Sequence, residues 1–458
     1  METKIRWKAE TSDNGRIAFM KKLAITGGDR VRTKPWTENL LDIDRDEIFE
    51  VMDVLKSKRL GQLSAKREES KVDKFEEELA KYFHVKYAIV CNSGMTALTA
   101  SLYAVGAGAG DEVLVPAFDA LMGIQGVVAA CARPVFVDID PKTNNMSPEE
   151  IPKRITKRTK AIMPVHWGGY PVDMDPIMEV AEDYDLPVIE DAAHAHGSEY
   201  KGKRCGSLGT VAGASLWEYK PLGVGEGGVV TTNDPEIASK VSTFINNGRV
   251  IKEPGFTIGT AMNAGKIGAP VTMGWTARMT ELQAAIGLAQ LRKLDAHLEK
   301  LNKYWAYLRK EIGQLDGIIE PYLAPYATIL NGKMRGHALY IMNPGFGVDE
   351  EKLHVNAVQI AMAIRAEGVP CGTLTEPIYL NPMLQRKIGY GRGCPYDCPH
   401  FDEHVIYQKG LCPKAESVVG KSFGFPLYPS MTQEDVEDIV KATEKVVHAV
   451  QRGAKIPI

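Results

Sequence analysis

The chain has 458 residues, a length that predicts two or three domains. Its 55 lysines and arginines against 58 aspartates and glutamates give a net charge of -3, which excludes the basic field of a nucleic-acid-binding protein. Apolar runs such as residues 127–132 are far shorter than the roughly 20 residues of a membrane-spanning helix. Residues 1–20 lack the apolar core of a signal peptide, and seven thinly spread cysteines favour a reducing cytoplasm. We expect a large cytoplasmic globular enzyme without a membrane partner.

The N-terminal part of the chain reads as a flexible extension, residues 1–22, followed by two amphipathic helices. Residues 46–58 and 71–83 space their apolar side chains at helical intervals, with charges between them. We expect both helices to pack one apolar face on a core.

Between residues 85 and 230, short apolar runs alternate with helical stretches. Such runs are typical of strands buried on both faces of a mostly parallel sheet, with helices crossing between them. This pattern predicts an α/β architecture, in which ligands lie beyond the strand ends. The runs are residues 87–90, 112–115, 134–137, 161–163 and 186–189.

The second half of the chain is expected to contain a long helix and a smaller α+β domain. A Gly- and Pro-rich loop, residues 253–274, precedes a capping box at 280–283 that begins the helix. The apolar seam of this helix fits a coiled-coil partner helix or a helix bridging two domains, and its short extent favours the bridge. We therefore divide the chain into the extension 1–22, a large domain 23–315 and a small domain 316–458.

Several strand ends carry residues suited to chemistry. The first strand runs into Ser93, Gly94 and Met95 at a helix start, where free N–H groups and the helix dipole can hold an anion; many such turns, however, bind nothing. Asp191 ends another strand beside Glu190, His194 and His196. This set could be a metal site, a carboxylate for a cofactor's ring nitrogen, or simply a helix N-cap.

Lys220 and Arg278 belong to the other two candidate groups. Lys220 lies among aromatic residues before a Gly-rich loop, where burial would free a neutral amine for Schiff-base formation; a lysine snorkelling to the surface is the plainer alternative. Arg278 and Glu281 flank a helix start and could orient a substrate or form a surface ion pair. An anion cradle, an acid and an amine on one sheet together match what pyridoxal phosphate requires.

Five motifs make the chain resemble the DegT/DnrJ/StrS-type sugar aminotransferases, which are fold-type I pyridoxal-phosphate enzymes, over about residues 23–447. The motifs are 110–116 (GDEVLVP), 134–140 (PVFVDID), 190–197 (EDAAHAHG), 225–228 (GEGG) and 278–285 (RMTELQAA). The resemblance implies a large domain with a mostly parallel central sheet flanked by helices, a smaller C-terminal α+β domain, and a homodimer with shared active sites.

The resemblance also implies roles for individual residues. Lys220 would form the Schiff base and carry the proton, and Asp191 would pair with the ring nitrogen. His194 would contact the 3-hydroxyl group of the cofactor. Its phosphate would bind Ser93, Gly94, Met95 and Ser215, while Thr276, in place of a family asparagine, would reach the neighbouring subunit's phosphate.

The implied reaction is a ping-pong transfer of an amino group from glutamate or glutamine to a keto sugar, often nucleotide-linked, or a keto-cyclitol. The Ala-His-Ala-His sequence at 193–196 is closer to the keto-cyclitol and aminoshikimate-like branch. Ala120 departs from the family because many relatives place an aromatic ring there over the cofactor, and neighbouring Phe118 is not assigned that role. Two alternatives remain. One is another pyridoxal-phosphate reaction on sugars, such as dehydration, which Lys220 disfavours because the dehydratases of this group carry histidine at that position. The other is a non-catalytic regulator.

Cys394, Cys398 and Cys412 lie near His400 and His404 in a Gly- and Pro-rich segment. Their spacing does not match a standard zinc pattern, so we expect no metal there. A loop over the substrate pocket is the favoured interpretation.

Overall fold

The computed structural model describes residues 22–36, 41–62, 69–251, 267–338, 345–397 and 399–457. The expected extension 1–22, apart from Lys22, and most of the expected loop 253–274 lie outside the described residues. Cys398 does as well.

A mixed sheet forms the centre of the N-terminal part. Strands β2, β3 and β4 pair in parallel in the order β3-β2-β4, and a second group pairs in the order β1-β9-β8-β5. Single parallel bridges, Ile162 to Val188 and Val165 to Asp191, join the two groups. Only β9 in this sheet, as described, runs antiparallel to its neighbours. The strands are β1 (Tyr87–Cys91), β2 (Glu112–Pro116), β3 (Arg133–Val137), β4 (Thr159–Ile162), β5 (Ile189–Asp191), β8 (Val211–Ser215) and β9 (Gly228–Thr232).

The apolar runs in the sequence are confirmed as strands, with one shifted boundary. β5 begins at Ile189 rather than at residue 186, since Pro187 has no N–H group for the ladder. The strand instead continues to Asp191, so this carboxylate belongs to a strand end and the helix N-cap interpretation is wrong.

Helices flank the sheet, and four of the six described in this part begin at side-chain caps. The two predicted N-terminal helices are confirmed as α1 (Arg45–Ser57) and α2 (Lys71–Phe83). Asp44 and Glu47 form a capping box on α1, and Ser70 accepts the Asp73 N–H group at the start of α2. The other helices of this part are α3 (Gly94–Ala104), α4 (Leu121–Ala129), α5 (Met174–Asp183) and α6 (Pro235–Ile245).

One long helix, α7 (Glu281–Gly313), runs from this part of the chain into the next. Its capping box, Thr280 with Gln283, is present as predicted. Leu294 and Leu298 are buried with the core around α2, whereas Leu308 and Ile312 are buried in the C-terminal core. The apolar side chains of α7 therefore pack against two cores of the same chain, as expected of a helix that bridges two domains.

The C-terminal part packs helices on an antiparallel sheet in the order β12-β15-β17-β16. Helix α9 packs on this sheet, α12 packs on α7 and α9, and α12 begins after the N-cap Thr432. The strands are β12 (Ile318–Ile319), β15 (Phe346–Val348), β16 (Gly372–Thr373) and β17 (Ser422–Gly424), and the helices are α8 (Glu350–Leu353), α9 (Ala357–Ala366), α10 (Pro382–Gln385), α11 (Pro413–Ser417) and α12 (Gln433–Gln451). The α+β character is confirmed, while the exact domain boundary at 315/316 stays a prediction.

Short strands complete the described elements. A sheet in the order β14-β13-β6-β7 joins β6 (Glu199–Tyr200) and β7 (Lys203–Arg204) to β13 (Ala327–Ile329) and β14 (Met334–Arg335), and β10 (Arg249–Ile251) pairs with β11 (Ile267–Pro270). None of the described helices combines the length and apolar character that a membrane crossing requires.

The segment 387–412, expected over a substrate pocket, packs instead on β3 and α4. The hydroxyl of Tyr407 donates to the Pro134 carbonyl oxygen over 2.7 Å, and that of Tyr390 donates to the Ala129 carbonyl oxygen over 3.2 Å. The buried Tyr407 and the exposed Tyr390 thereby tie the segment to β3 and to the end of α4. In the described ranges, no three His, Cys, Asp or Glu side chains come together as a metal site would need.

Candidate active site

A cavity of about 220 Å³ lies where β1, β2, β5 and β8 end at the same edge of the sheet. We call it the smaller cavity. All the predicted site residues except Thr276 line it, so chain segments more than 100 residues apart meet as the parallel topology predicts. Its lining is Ser93, Gly94, Met95, Leu98, Asp119, Ala120, Met122, Gly123, Asp191, Ala193, His194, Ser215, Trp217, Lys220 and Glu226.

The start of α3 forms one wall of the smaller cavity. Ser93 is the N-cap, and its hydroxyl accepts the Thr96 N–H group over 3.1 Å. The N–H groups of Gly94 and Met95 belong to the first turn, where a helix offers no intrahelical partner. A Cβ atom on Gly94 would lie 2.5 Å from that of Ser215, so glycine is required for α3 to approach the end of β8. The helix start and the Ser215 hydroxyl therefore converge on one anion-sized position.

Asp191 is the last residue of β5 and is buried. Its Oδ1 atom accepts the Ala193 N–H group over 2.9 Å, which fixes the carboxylate at the strand end. Burial raises the pKa of Asp191, while the Ala193 hydrogen bond and the nearby Lys220 charge oppose that rise. A cation against this carboxylate, such as a protonated ring nitrogen, would hold it ionised.

The neighbours of Asp191 do not form the alternative metal site. Glu190 accepts the N–H groups of Gly206, Leu208 and Gly209 and contacts His166 Nε2 over 2.9 Å. The oxygen atoms of Glu190 are thus occupied by hydrogen bonds to a loop and to a histidine that the sequence analysis did not name. His196 is buried against Phe83, with ring centroids 6.3 Å apart.

Lys220 follows β8 by five residues and lies in the cavity rather than at the surface. Its side chain is buried, and Nζ lies 5.9 Å from the centroid of the Trp217 ring. Burial lowers the pKa of Lys220 to about 8, although Asp191 and Asp119 both act in the opposite direction. The amine is thus neutral in a useful fraction of molecules near neutral pH, and the surface-snorkelling interpretation is wrong.

His194 is a neutral imidazole at the side of the smaller cavity. Its Nδ1 atom accepts the Gly168 N–H group over 3.2 Å, and its ring lies 5.3 Å from that of Trp167. Burial and the Lys220 charge keep the pKa of His194 well below its usual value. With Nδ1 accepting, Nε2 carries the hydrogen and is a donor.

Sequence reasoning missed Asp119, which lines the same cavity. It lies three residues beyond the end of β2, the place at which a ligand is expected in such a sheet. Its place just beyond a strand end was the available signal, but only the neighbours Phe118 and Ala120 were considered as candidates there. Phe118 itself is buried in the core and does not line the cavity.

A larger cavity, about 440 Å³, opens on the other side of Lys220. Its walls include Trp167, Tyr219, α7 and the segment 423–429 of the C-terminal part. Lys220 lines both cavities, so its amine can be approached from two sides. The larger cavity is mainly aromatic and aliphatic, as suits the face of a ring-shaped ligand.

The last predicted group, around Thr276, lies apart from the cavities. Thr276 is exposed and its hydroxyl donates to Asn247 Oδ1 over 2.7 Å. Arg278 donates to Asn246 Oδ1 over 3.1 Å. Glu281 is buried and accepts the Ser70 hydroxyl over 2.8 Å, so the alternative of a surface ion pair with Arg278 is wrong. Glu281 instead links α7 to the start of α2.

Comparison with known proteins places these observations in a family. Residues 41–444 match the DegT/DnrJ/EryC1/StrS aminotransferase family. A GDP-perosamine synthase of Caulobacter vibrioides is 33% identical, over 88% of this chain and 95% of its own length. An L-glutamine:2-deoxy-scyllo-inosose aminotransferase of Streptomyces fradiae is 31% identical, over 96% of this chain and 100% of its own.

The fold is also shared with solved structures. An aminotransferase from Psychrobacter cryohalolentis superposes with a TM-score of 0.76 at 29% identity, over 91% of this chain and 100% of that one. The fold is therefore one that this aminotransferase shares.

Proposed function

The chain belongs to the DegT/DnrJ/EryC1/StrS aminotransferase family, and from this premise we propose which substrates it uses and how its residues act. It moves an amino group from glutamate or glutamine to a keto sugar or keto-cyclitol, with pyridoxal 5'-phosphate as cofactor. The observation that carries the proposal is the meeting of Lys220, Asp191 and the α3 start in one cavity.

The residues of the smaller cavity fit pyridoxal phosphate at each of its three recognition points. The α3 start and the Ser215 hydroxyl suit a phosphate, because the N–H groups and the helix dipole both favour an anion. Asp191 suits a pyridinium nitrogen, and Lys220 suits an aldehyde carbon. When bound, the cofactor supplies an electron sink for the carbon that gains or loses the amino group.

Lys220 acts through a neutral amine. Below a pH of about 8 the ammonium form prevails and has no lone pair; above it, the neutral form prevails and can bond to the aldehyde carbon. When free, the same amine can accept a proton from the substrate carbon and hold it for return. One buried side chain thereby serves as anchor and proton carrier.

Asp191 and His194 orient the cofactor ring from two sides. Asp191 would accept a hydrogen bond from the protonated ring nitrogen and keep that nitrogen charged, since the Ala193 N–H group already favours the ionised carboxylate. His194 donates from Nε2 toward the ring hydroxyl. Both side chains are buried, so water does not compete for these contacts.

The larger cavity is proposed as the place where the acceptor approaches Lys220. Trp167 and Tyr219 offer flat faces, which suit the ring of a sugar or cyclitol. Relatives named for GDP-perosamine and for 2-deoxy-scyllo-inosose support both acceptor classes.

A homodimer is proposed from an exposed apolar face on α1. Ile48, Phe49, Met52 and Leu55 are between 43% and 62% exposed, on the side of α1 that does not pack on α7. A contiguous apolar patch of this kind marks a protein contact surface. In a dimer, Thr276, remote from its own cavity, would contribute to the partner's phosphate site.

Phe49→Asp is expected to weaken the dimer and to raise its dissociation constant at least about 30-fold. The reason is that a charge would replace an aromatic side chain that the partner subunit covers. Sedimentation velocity across a concentration series measures this constant. Tyr184→Asp, at an exposed aromatic residue after α5, is the matched control and should leave it unchanged. A monomeric parent, or equal constants for Phe49→Asp and parent, would contradict the dimer surface.

The reaction itself is tested by colour. Purified protein supplied with pyridoxal phosphate should turn yellow and lose that colour when L-glutamate or L-glutamine is added, since the amino group then occupies the aldehyde carbon. ¹⁵N-labelled donor and a panel of keto-sugar nucleotides and inososes, read by mass spectrometry, identify the aminated product. A yellow protein that is inert to both donors would contradict the aminotransferase assignment.

A further inference from the structure

Asp119 is a buried carboxyl group to which the proposed function assigns no role. It is 7% exposed and lines the smaller cavity. Its Oδ2 atom has no hydrogen-bond partner within the described part of the chain. Burial disfavours the ionised form of this carboxyl group, whereas a protonated carboxyl group can donate to a ligand in the cavity.

The surroundings of Asp119 make room for its carboxyl group. A Cβ atom on Gly123 would lie 2.2 Å from Asp119 Oδ2, so only glycine at that position of α4 leaves the carboxyl group where it is. Ala120, which also lines the cavity, presents only a methyl group. A ligand in the cavity therefore meets a carboxyl group here rather than an aromatic face.

Ionising two carboxyl groups at the same time in one buried cavity costs free energy, because each negative charge disfavours the other. Asp191 accepts a backbone N–H group and is proposed to face a ring cation, so it is the one that stays charged. Burial and the Asp191 charge raise the pKa of Asp119 well above its usual value, against the opposing effects of the Ala120 backbone N–H group and of Lys220. The other titratable groups of the cavity are His194, which is neutral, and Glu226, which is exposed.

We propose that Asp119 is a second acid of this active site, donating its proton to the carbonyl oxygen of the keto substrate as the carbon–nitrogen bond forms. The carbonyl double bond opens as nitrogen attacks, and the oxygen takes one proton from Asp119 and one from the nitrogen before it leaves as water. The nitrogen returns its second proton to Asp119, so the acid is restored and no co-reactant is consumed. This role rests on the proposed function.

The protonation of Asp119 is tested first, on protein without cofactor. Asp119→Asn keeps the shape of the side chain and removes the acid. The infrared difference spectrum, parent minus Asp119→Asn at pH 7, should show the carbonyl stretch of one protonated carboxyl group, shifted in heavy water. Asp183→Asn, at an exposed position on α5, is the control and should remove only carboxylate bands. A parent spectrum in which Asp119 contributes carboxylate bands overturns the proposal.

The role in the reaction is tested on the cofactor-loaded protein. Once L-glutamate has removed the yellow colour and has itself been removed, addition of 2-oxoglutarate as keto substrate should restore the colour at least about 100-fold more slowly in Asp119→Asn, the size of effect that a positioned acid gives. Cofactor content should stay within about threefold of the parent, because the phosphate and ring-nitrogen contacts remain. Asp119→Ser, which is smaller, serves as the second variant and should be equally slow.

The outcomes separate this proposal from the one on which it rests. If the parent stays colourless with pyridoxal phosphate, the proposed function fails. If the parent fades with glutamate and regains its colour with 2-oxoglutarate, but both Asp119 variants regain it as fast, only the role of Asp119 fails.

Discussion

Lys220→Ala should yield a colourless protein in which aminotransfer is reduced by at least about four orders of magnitude. The substitution removes the only amine that lines both cavities among the described residues. Borohydride reduction followed by peptide mass spectrometry should find the cofactor attached to Lys220 in the parent and no attachment in the variant. Absorbance after addition of pyridoxal phosphate gives the loss of colour directly.

Two further variants separate loss of the amine from loss of the fold. Lys220→Arg keeps a positive charge but offers no nucleophilic amine at accessible pH, so it should be as inactive as Lys220→Ala. Lys201→Ala, at an exposed lysine in the β6–β7 turn, should keep parental colour and rate. Colour and a reducible adduct in Lys220→Ala would show that another lysine forms the bond.

Asp191→Asn should lower the rate of the donor half-reaction by about 100- to 1000-fold, the range seen when a preorganised electrostatic partner is removed. The amide keeps the size of the side chain but cannot hold a proton on the ring nitrogen, so that ring withdraws electrons less strongly. Stopped-flow decay of the yellow colour after addition of L-glutamate measures the effect.

A chemical rescue distinguishes this electrostatic role from a merely structural one. A cofactor methylated at its ring nitrogen carries a permanent positive charge and should restore part of the rate in Asp191→Ala. Asp173→Asn is a control outside the cavities; its side chain accepts the Tyr200 hydroxyl at the start of α5. An Asp191→Asn variant with the parental rate would contradict the proposed contact.

The sequence predicted elements well where local signals agree. Helix α2 has the bounds expected from its apolar spacing, because Ser70 caps its start and His84 adopts a left-handed conformation at its end. The capping box on α7 was equally readable from Thr280 and Gln283. Continuous apolar runs predict parallel strands, and such strands bring Asp191 and Lys220 to one edge of the sheet.

What the sequence did not reveal depends on contacts between distant segments. Glu281 looked like a surface charge because nothing local shows that Ser70 and α2 cover it. Asp119 looked like a loop residue because its burial depends on β5, α4 and the Lys220 loop closing around it. The segment 387–412 was misplaced since its tyrosines reach hydrogen-bond acceptors more than 250 residues away.

The continuous helix α7 restricts how the larger cavity can change its width. At about 1.5 Å per residue, its 33 residues form a rod about 50 Å long that is anchored in both cores. A regular helix without an internal proline has no hinge, so α7 forms a rigid wall of the larger cavity. Any narrowing of the larger cavity around an acceptor must then come from movement of the opposite wall, the segment 423–429, toward α7.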